Sequence, residues 1–328
     1  MRYNKDMAGK RMGTAWILLP VLAVAAALPG LPQNADRFPP INTPNADYFI
    51  TRLGVLPEIE PASYRLEIKG LVRTPKAFTL EELYALPMTE IPLTVECIGN
   101  GAGGALVSTA VWKGVRLDDL LRPLGVSERA TGIRCAAADD YYASHTMAQV
   151  RENGVLVALF MNGEPLPRLH GFPVRILNPG YYGVKQPAWI TSIEVIDKPV
   201  KDYWEDNGWD CSPPMPADSV FFFPKDRSAV KRNAPVKFGG AAFGGTRVAR
   251  VELTIDGGRT WTEAAIVKKM DADNVWVFWE AELVFPAAKD YLVRARATDV
   301  RGRSQPENDS DFADGTDEWP ALRLRVKR

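Results

Sequence analysis

The chain has 328 residues, 46% of them hydrophobic, and its 40 basic and 40 acidic side chains cancel. This length allows two domains, each with its own core, and the balanced charge argues against nucleic acid as a partner. Three cysteines, Cys97, Cys135 and Cys211, are too few for a disulfide scaffold, and an odd count leaves at least one thiol unpaired. We expect Cys97 to be free, while the sequence does not decide whether Cys135 and Cys211 pair.

The first 30 residues have the pattern of an export signal. Basic residues precede an apolar run of about 14 residues, Ala15 to Leu28, with small residues near its end. A membrane-spanning helix needs roughly 20 apolar residues, and Pro20 interrupts this run. Residues 1–30 are therefore predicted to be a signal peptide or, alternatively, an N-terminal membrane anchor that tethers the protein. The protein is predicted to be exported, with the periplasm as the expected compartment. Residues 31–47, rich in Pro, Asn and Asp, are predicted to be a linker.

Residues 48–212 mix strand signals with a few short-helix signals. Apolar and polar residues alternate with period two from Tyr64 to Gly70, which is typical of a half-buried strand. Thr79 is the predicted N-cap of a short helix with acidic residues in its first turn, and Leu117–Leu121 is a second. Further strands are predicted at residues 94–97, 132–137, 155–161, 174–177 and 189–196. Because helices are few, the pattern predicts an α+β domain with a mixed sheet rather than a doubly wound one.

The pattern changes after the proline-rich stretch Pro213–Pro216, which is the predicted domain boundary. Val248 to Ile255 alternates regularly and runs into Asp256-Gly-Gly258, a hairpin turn signal. Two further segments alternate in the same way, Trp276–Phe285 and Tyr291–Thr298. Several short alternating strands over residues 217–328 predict an all-β sandwich of the immunoglobulin type.

The segment Thr94-Val-Glu-Cys-Ile-Gly-Asn100 carries the strongest chemical signal. A short strand ends in Cys97, and the following Gly101-Ala-Gly-Gly104 places little side-chain bulk beside the sulfur. Thiolate is a soft ligand that suits a transition metal, although a lone free cysteine is more often a small buried apolar residue. The motif alone leaves both interpretations standing. The glycine turn lacks the strand and helix context of a dinucleotide site.

Several motifs, in order, resemble the sulfite oxidase superfamily of molybdopterin-dependent oxidoreductases over roughly residues 48–325. They are Thr94–Asn100, Ser108–Leu117, Asp140–Ser144, Met161–Pro167, His170–Arg175, Asn178–Gly183, Tyr203–Trp209 and, in the tail, Val251–Trp261. The resemblance implies a molybdopterin-binding catalytic domain over residues 48–212. It also implies a dimerisation domain over residues 217–328, and therefore favours a homodimer.

The resemblance also implies roles for individual residues. Cys97 corresponds to the thiolate that binds molybdenum beside the dithiolene of the pterin. His170 and Arg175 correspond to residues that hold the pterin and its phosphate, and an arginine fork suits phosphate. The stretch expected to wrap the same phosphate contains Lys185, Gln186, Ala188 and Trp189. From the residues alone, a lone histidine is usually structural, and the anion that a buried Arg175 requires can be a protein carboxylate.

The chain departs from the family pattern around the expected substrate site. Gly101 and Ala102 occupy the positions of an arginine pair, and Trp209 occupies that of the active-site tyrosine. Asp139 and Arg52 are weaker matches to further cofactor or active-site contacts, and we expect Arg52 and Trp209 to shape the substrate mouth. The lost positive charge weakens the expectation of a small dianion as substrate.

The resemblance thus implies an exported molybdenum enzyme that transfers an oxygen atom to or from a small oxo substrate in a two-electron reaction. Oxidation of sulfite or a related sulfur compound and reduction of a sulfoxide stand as alternatives. So does a non-catalytic relative that keeps the fold, lacks the metal and acts as a binding or assembly module. No Cys-x-x-Cys-His haem motif occurs in the sequence, so no haem is expected in this chain. Electrons are therefore expected to pass through an external carrier, such as a c-type cytochrome or a membrane quinone-linked subunit.

Overall fold

Strands form most of the regular structure in the computed structural model, which describes residues 38–309 and 311–328. The export signal or anchor predicted for residues 1–30 lies outside the described residues. Among those that are described, no helix is both long enough and apolar enough to cross a membrane. All three cysteines are free thiols, so Cys135 and Cys211 form no disulfide.

Two five-stranded sheets build the first domain. Its strands are β1 Arg65–Gly70, β2 Lys76–Thr79, β3 Thr89–Glu96, β4 Val107–Arg116, β5 Gly132–Ala137, β6 Tyr142–Thr146, β7 Leu156–Met161, β8 Glu164–Pro165, β9 Arg175–Leu177 and β10 Ile190–Ile196. One sheet has the order β2-β1-β10-β5-β6, and the other has the order β3-β4-β7-β8 with β9 also paired to β7. Strand β1 runs parallel to β10 and antiparallel to β2, which confirms the predicted mixed sheet.

The helices of the described residues are short. They are α1 Leu80–Tyr84, α2 Leu117–Leu121 and α3 Tyr203–Asp206, with single 3-10 or π turns at Arg122–Leu124, Gln149–Asn153, Arg168–His170, Gly183–Lys185 and Phe312–Asp314. The predicted cap of α1 is confirmed, because the Thr79 hydroxyl accepts from the Glu82 N–H at 3.0 Å. The Glu82 carboxylate in turn accepts from the Thr79 N–H at 2.8 Å, which completes a capping box.

The main core of the first domain lies between its two sheets. Buried apolar side chains from β1, β5 and β10 on one sheet meet those from β4, β7 and β9 on the other. The outer face of the second sheet is also buried, since Trp112 and its neighbours pack against Tyr48 and Phe49. Both faces of the second sheet are therefore covered. Its strand β3 ends at Glu96, and Cys97 is the next residue.

The second domain is a β-sandwich, as predicted. Its strands are β11 Asp218–Phe223, β12 Ser228–Lys231, β13 Pro235–Phe243, β14 Val248–Thr254, β15 Thr262–Lys268, β16 Val277–Val284, β17 Asp290–Asp299 and β18 Ala321–Lys327. They pair in the order β11-β13-β16-β15-β14-β17-β18-β12. Side chains from both halves of this order share one core, including Trp279 from β16 and Val293 from β17. The predicted turn at Gly257 and Gly258 is confirmed, since both glycines have positive φ.

The described part of the predicted linker packs against both domains. Phe38 stacks on Phe278 of the sandwich with ring centroids 5.1 Å apart. The Thr43 N–H donates to the carbonyl of Thr109 in β4 at 2.7 Å. The Thr43 hydroxyl accepts from the Thr109 N–H at 3.2 Å. Met215, in the predicted boundary, is buried as well. Composition predicts the irregular backbone of these segments but not their packing, which depends on single side chains such as Phe38 and Met215.

A buried carboxyl pair joins the two domains directly behind Cys97. Glu96, the last residue of β3, and Asp218, the first residue of β11, are both buried and close enough for each carboxyl to affect the pKa of the other. Burial raises the pKa of Glu96 well above its usual range, with Asp218 adding to the effect, and burial raises the pKa of Asp218 to about 7. The two side chains therefore carry at least one proton at neutral pH.

We predict that this pair makes stability depend on pH. Raised carboxyl pKa values in the folded state stabilise the fold below the unfolded pKa near 4, and this contribution is lost as pH rises through about 7. Asp218→Asn should flatten this dependence and raise the free energy of unfolding at pH 8 by on the order of 2 kcal/mol. Urea unfolding between pH 5 and pH 8, run beside the exposed control Asp290→Asn, measures this. Parallel pH profiles for the wild type and Asp218→Asn would contradict it.

Candidate functional site

The loop after β3 holds Cys97 in a fixed position. The Cys97 N–H donates to the Leu106 carbonyl at 3.0 Å, and the Cys97 carbonyl accepts from the Asn100 N–H at 2.9 Å. Buried Asn100 braces the loop, because its side-chain oxygen accepts from the Leu106 N–H at 3.0 Å and its amide donates to Glu96 at 2.9 Å. A Cβ at Gly104 would lie 2.2 Å from that Asn100 oxygen. The glycine therefore permits the brace.

Cys97 faces a cavity of about 270 Å³ between β3, the segment 49–53 and the turn 183–189. The residues expected at the site that line it are Arg52, Cys97, Asp139, His170, Arg175, Gln186, Ala188, Trp189 and Trp209. Burial raises the pKa of the Cys97 thiol, and a hydrogen bond from the Gly99 backbone lowers it in part. A metal ion must displace the thiol proton, so metal binding there is coupled to proton release.

Arg175 is the charged group at one end of the cavity. It begins β9, and its guanidinium donates to the Gln186 carbonyl at 3.2 Å and to the His170 carbonyl at 3.3 Å. It also lies over the Trp112 ring, 5.4 Å from the centroid. Among the described residues no carboxylate forms an ion pair with it, and burial lowers its pKa. The cavity therefore contains a desolvated cation without a counter-anion among the described residues.

His170 lies beside Arg175 and is neutral at pH 7. Burial lowers its pKa to about 4, opposed in part by the bond to Asn45. Its Nε2 is 2.7 Å from the Asn45 carbonyl, which can only accept, so we assign the proton to Nε2. Nδ1 is then an acceptor. His170 can therefore orient a donor of the ligand and support Arg175 through its carbonyl, but it adds no positive charge.

The turn that follows contributes backbone more than side chains. The Gln186 amide is fully used, because it donates to the carbonyls of Asn178 and Tyr181 at 2.9 and 3.0 Å. Trp189 has a positive φ of 55°, which is costly for a bulky residue, and its indole donates to the Arg168 carbonyl at 2.8 Å. Ala188 packs closely on Gly171, since a Cβ added at Gly171 would lie 2.9 Å from the Ala188 Cβ. The turn is thus fixed against the His170 loop.

Lys185 corrects the expectation drawn from the sequence, because it does not line the cavity. It is buried, and its ammonium forms an ion pair with Asp202, lies 4.0 Å from Glu205 and donates to the Ser144 carbonyl at 3.2 Å. Lys185 ends the 3-10 turn Gly183–Lys185, and Asp202, rather than a cofactor phosphate, is the anion that its ammonium contacts. Lys185 therefore ties the turn to the start of α3.

A second cluster of potential ligands lies at this ion pair. Ligand atoms of Asp202, Glu205 and Cys211 lie within 4.8 Å of one another. The Lys185 ammonium occupies this cluster, since it pairs with Asp202 and lies 4.0 Å from Glu205. Burial raises the pKa of the Cys211 thiol to about 12, so it stays protonated. This cluster is therefore a structural ion pair rather than a metal centre.

The other end of the cavity is aromatic. Trp209 follows α3, and a Cβ at Gly99 would lie 3.7 Å from its ring. Trp204 lies edge-on to Trp209 with centroids 6.4 Å apart, and Phe312 of the sandwich lies 5.2 Å away on Trp209. Trp204 and Trp209 therefore line this end of the cavity, and Phe312 of the second domain supports Trp209.

Asp139 and Arg52 lie at the same cavity. The Asp139 carboxylate accepts from the backbone N–H groups of Tyr141 and Leu53, and burial raises its pKa. Leu53 directly follows Arg52, so the Asp139 carboxylate lies against the segment that carries Arg52.

Sequence reasoning missed several lining residues, of which Tyr141 is the most polar. Its hydroxyl donates to the Val184 carbonyl at 2.7 Å, and its ring lines the cavity. A signal existed, because Tyr141 lies in the family motif Asp140–Ser144 and two residues after Asp139. The apolar lining residues Phe49, Leu169 and Val184 carry no such signal.

The residues present suit a large anionic metal cofactor. A soft thiol faces the cavity near its centre, and Arg175 at one end has no counter-charge from the described residues. A β-rich domain with such a site, joined to a sandwich, defines a class of metal-pterin oxidoreductases.

Comparisons with known proteins specify the class. Residues 53–204 match the oxidoreductase molybdopterin binding domain, and residues 211–313 match the Mo-co oxidoreductase dimerisation domain. The chain belongs to the sulfite oxidase superfamily of molybdopterin-dependent oxidoreductases, and molybdopterin is the cofactor of its first domain.

Relatives in this family have different named activities. The mitochondrial sulfite oxidase of Drosophila melanogaster is 30% identical across 84% of this chain and 58% of its own length. The NADH nitrate reductase 1 of Phaseolus vulgaris is 30% identical across 81% of this chain and 37% of its own length. The chain thus spans less than two thirds of these two proteins. The sulfane dehydrogenase SoxCD of Paracoccus pantotrophus has a similar structure, with a TM-score of 0.74, 25% identity and coverage of 86% of this chain and 83% of that one.

We predict that Lys185 serves stability. Lys185→Met leaves Asp202 buried and unpaired, and should lower the free energy of unfolding by about 3 to 5 kcal/mol. The matched control Lys69→Met removes an exposed ion pair with Glu67 and should change it by less than about 1 kcal/mol. Denaturant unfolding of both variants compares the two. A Lys185→Met protein of normal stability that fails to retain molybdopterin would restore the phosphate-binding role.

Proposed function

We propose that this protein is an exported molybdenum enzyme that transfers an oxygen atom between water and a small substrate and exchanges two electrons with an external carrier. The observation that carries the proposal is the Cys97 thiol in a cavity whose Arg175 has no carboxylate partner among the described residues. A thiol and an unpaired guanidinium are the two groups that a metal-pterin phosphate needs from a protein.

The chain's own residues would divide the work of holding the cofactor. Cys97 would supply the thiolate ligand, and the braced loop from Asn100 to Leu106 would keep its sulfur in place. Arg175 would bind the phosphate with its guanidinium nitrogens, while neutral His170 would accept a hydrogen bond from the pterin. The cofactor supplies the two-electron redox chemistry when bound.

The remaining lining residues would act on the substrate. Trp209 and Arg52 would shape its entrance, and Asp139 would fix the wall that carries Arg52. Partly buried Tyr141 would help to exclude water, since its hydroxyl is already bonded to the Val184 carbonyl. The protein therefore orients the substrate and keeps the reacting centre dry.

Electrons would enter or leave through a separate protein. A c-type cytochrome or a membrane quinone-linked subunit is the proposed carrier, and the periplasm the proposed compartment, with the basic and apolar pattern of residues 1–30 as support. Two reaction directions are proposed. In one, sulfite or a related sulfur compound is oxidised, and in the other a sulfoxide is reduced. In the alternative to both, the protein keeps the fold but binds no metal, and metal analysis tests that alternative.

We predict that Cys97→Ser abolishes turnover and leaves the fold intact, because the substitution exchanges the soft ligand for a hard one at constant size. Dye-coupled assays with sulfite and with methyl phenyl sulfoxide, on protein expressed with the cofactor pathway, measure turnover. Metal analysis and thermal unfolding accompany them.

Cys135→Ala is the matched control, since Cys135 is a buried thiol that does not line the cavity. The control should retain molybdenum at about the wild-type content. Undiminished turnover in Cys97→Ser, or no molybdenum in the wild type, would overturn the proposed function.

We further predict a homodimer through the second domain, which matches a dimerisation domain. Sedimentation equilibrium at micromolar concentration should give twice the mass of the purified chain. A mass equal to one chain across that range would contradict the dimer.

A further inference from the structure

We propose that a basic surface on the second domain binds an anionic phospholipid membrane. This basic edge consists of residues 225–232, which include strand β12, and residues 321–328, which include strand β18. None of these residues lines the cavity of Cys97. The interaction is therefore separate from the chemistry at Cys97.

The basic edge has a large local excess of positive charge. Residues 225–232 contain four basic side chains and one acidic side chain, and residues 321–328 contain four basic and no acidic ones, although the whole chain is balanced at 40 and 40. All of these basic side chains are exposed. Two of them, Arg227 and Arg325, form ion pairs, with Asp226 and Asp290, and both pairs are exposed. The others have no carboxylate partner among the residues that the structure describes.

The fold brings the two segments side by side. Strand β12 runs parallel to β18, and this pairing places Lys231 opposite Lys327. Before β12, the Arg227 N–H donates to the Arg323 carbonyl at 2.7 Å, which places two further cations next to each other. Arg227 also has a positive φ of 64°, which is costly for a bulky residue. Like charges on paired strands are destabilising, so the fold concentrates positive charge here at a cost in stability.

A groove of about 360 Å³ lies within the basic edge. Three arginines line it, Arg227, Arg323 and Arg325. Asp290 is the one carboxylate of the lining, 3.7 Å from Arg325, and exposed Leu292 of β17 is paired with Arg323. A guanidinium binds phosphate with two hydrogen bonds, and an apolar side chain beside it suits the boundary between head groups and acyl chains. The groove therefore suits a phospholipid head group.

Protection of a sheet edge accounts for only part of this charge. Strand β12 is the last strand in the sheet order, and basic side chains on an edge strand prevent other strands from pairing with it. Strand β18 lies between β12 and β17 and has no free edge. Its outer face nevertheless carries Arg323, Arg325 and Lys327, while the alternate residues are buried. These three cations require another explanation, and a bound anionic surface provides one.

Two other occupants are disfavoured. A second copy related by a two-fold axis would place the basic edge against itself. A redox carrier must come close to the cofactor, because electron transfer slows steeply with distance. Strand β18 starts beside the loop that carries Cys97, since a Cβ at Gly103 would lie 3.2 Å from the Pro320 Cβ. Arg325 is five residues further along the chain, which is about 16 Å along a strand.

The position of Phe38 supports a membrane as the occupant. Phe38 packs on Phe223, the last residue of β11, with ring centroids 5.2 Å apart, and Arg227 follows Phe223 by four residues. The apolar run of the predicted signal or anchor ends at Leu28, ten residues before Phe38. Ten residues reach at most about 35 Å, so a membrane that held this run would lie within reach of the basic edge. An apolar segment and a basic patch together bind a membrane more stably than one of them alone.

Vesicle flotation of the full chain tests this interaction. At roughly 50 mM NaCl, vesicles of one quarter phosphatidylglycerol in phosphatidylcholine should bind the protein on the order of a hundredfold more tightly than pure phosphatidylcholine vesicles. This ratio should approach one at roughly 500 mM NaCl, because salt screens the charges. The ratio is the quantity compared, since an apolar N-terminal segment would bind both kinds of vesicle.

The double variant Arg323→Gln with Arg325→Gln should lower the ratio about tenfold, because it removes two charges that face the lipid. The matched control is Arg129→Gln with Arg151→Gln, which removes two exposed arginines from the first domain and should keep the wild-type ratio. Thermal unfolding should give the same midpoint for both double variants and the wild type, since all four side chains are exposed.

Equal affinity of the wild type for both kinds of vesicle would overturn the membrane interaction, and so would a ratio that the Arg323 and Arg325 double variant leaves unchanged. If that variant keeps the wild-type ratio but exchanges electrons more slowly with an acidic c-type cytochrome, the basic edge binds the carrier instead. These outcomes do not involve Cys97, so the proposed function is tested separately, by the metal content and turnover described for Cys97→Ser.

Discussion

The structure depends on a guanidinium whose counter-ion is missing from the described residues. Arg175 is partly buried, lies over Trp112 and bonds only to main-chain carbonyls among the described residues. Carbonyl dipoles orient such a group but do not neutralise it, so the folded chain pays a desolvation cost at this position. A bound phosphate would offset that cost. The loop of His170, the turn of Gln186 and the strand β9 all meet at this one charge.

Two supports, one from each side, keep the cavity open for a large group. On one side, Asn100 and Gly104 fix the loop that carries Cys97. On the other, the buried ion pair of Lys185 and Asp202 fixes the turn and the start of α3. The second domain supports these elements from outside the cavity, through Phe312 against Trp209 and through Asp218 beside Glu96.

Sequence patterns predicted the parts of the fold that depend on local order. The capping box at Thr79, the alternation of β14 and the glycine turn at Gly257 follow from neighbours in the chain, and all are confirmed. The packing of Phe38 and the pairing of Glu96 with Asp218 depend on residues more than a hundred positions apart. Neither hydrophobic periodicity nor motif spacing predicts contacts between residues so far apart in the chain.

The site shows the same division. Nine of the ten site residues that the family motifs predict line the cavity, but the motifs do not say which side chain along the turn points inward. They place Lys185 at the phosphate, whereas its ammonium pairs with Asp202. The partner of a basic residue beside a predicted anion site is not known until the carboxylates near it in space are known. For Lys185 that carboxylate is Asp202, which is 17 positions away in the chain. Tyr141 was missed because aromatic residues are common in cores.

Anomalous diffraction at the molybdenum edge, on crystals of the loaded protein, locates both the metal and the cofactor phosphate. We predict one molybdenum peak at bonding distance from the Cys97 sulfur and phosphate density against the Arg175 guanidinium. A peak at Asp202, Glu205 and Cys211, or an Arg175 without any anion in the molybdenum-loaded protein, would contradict it.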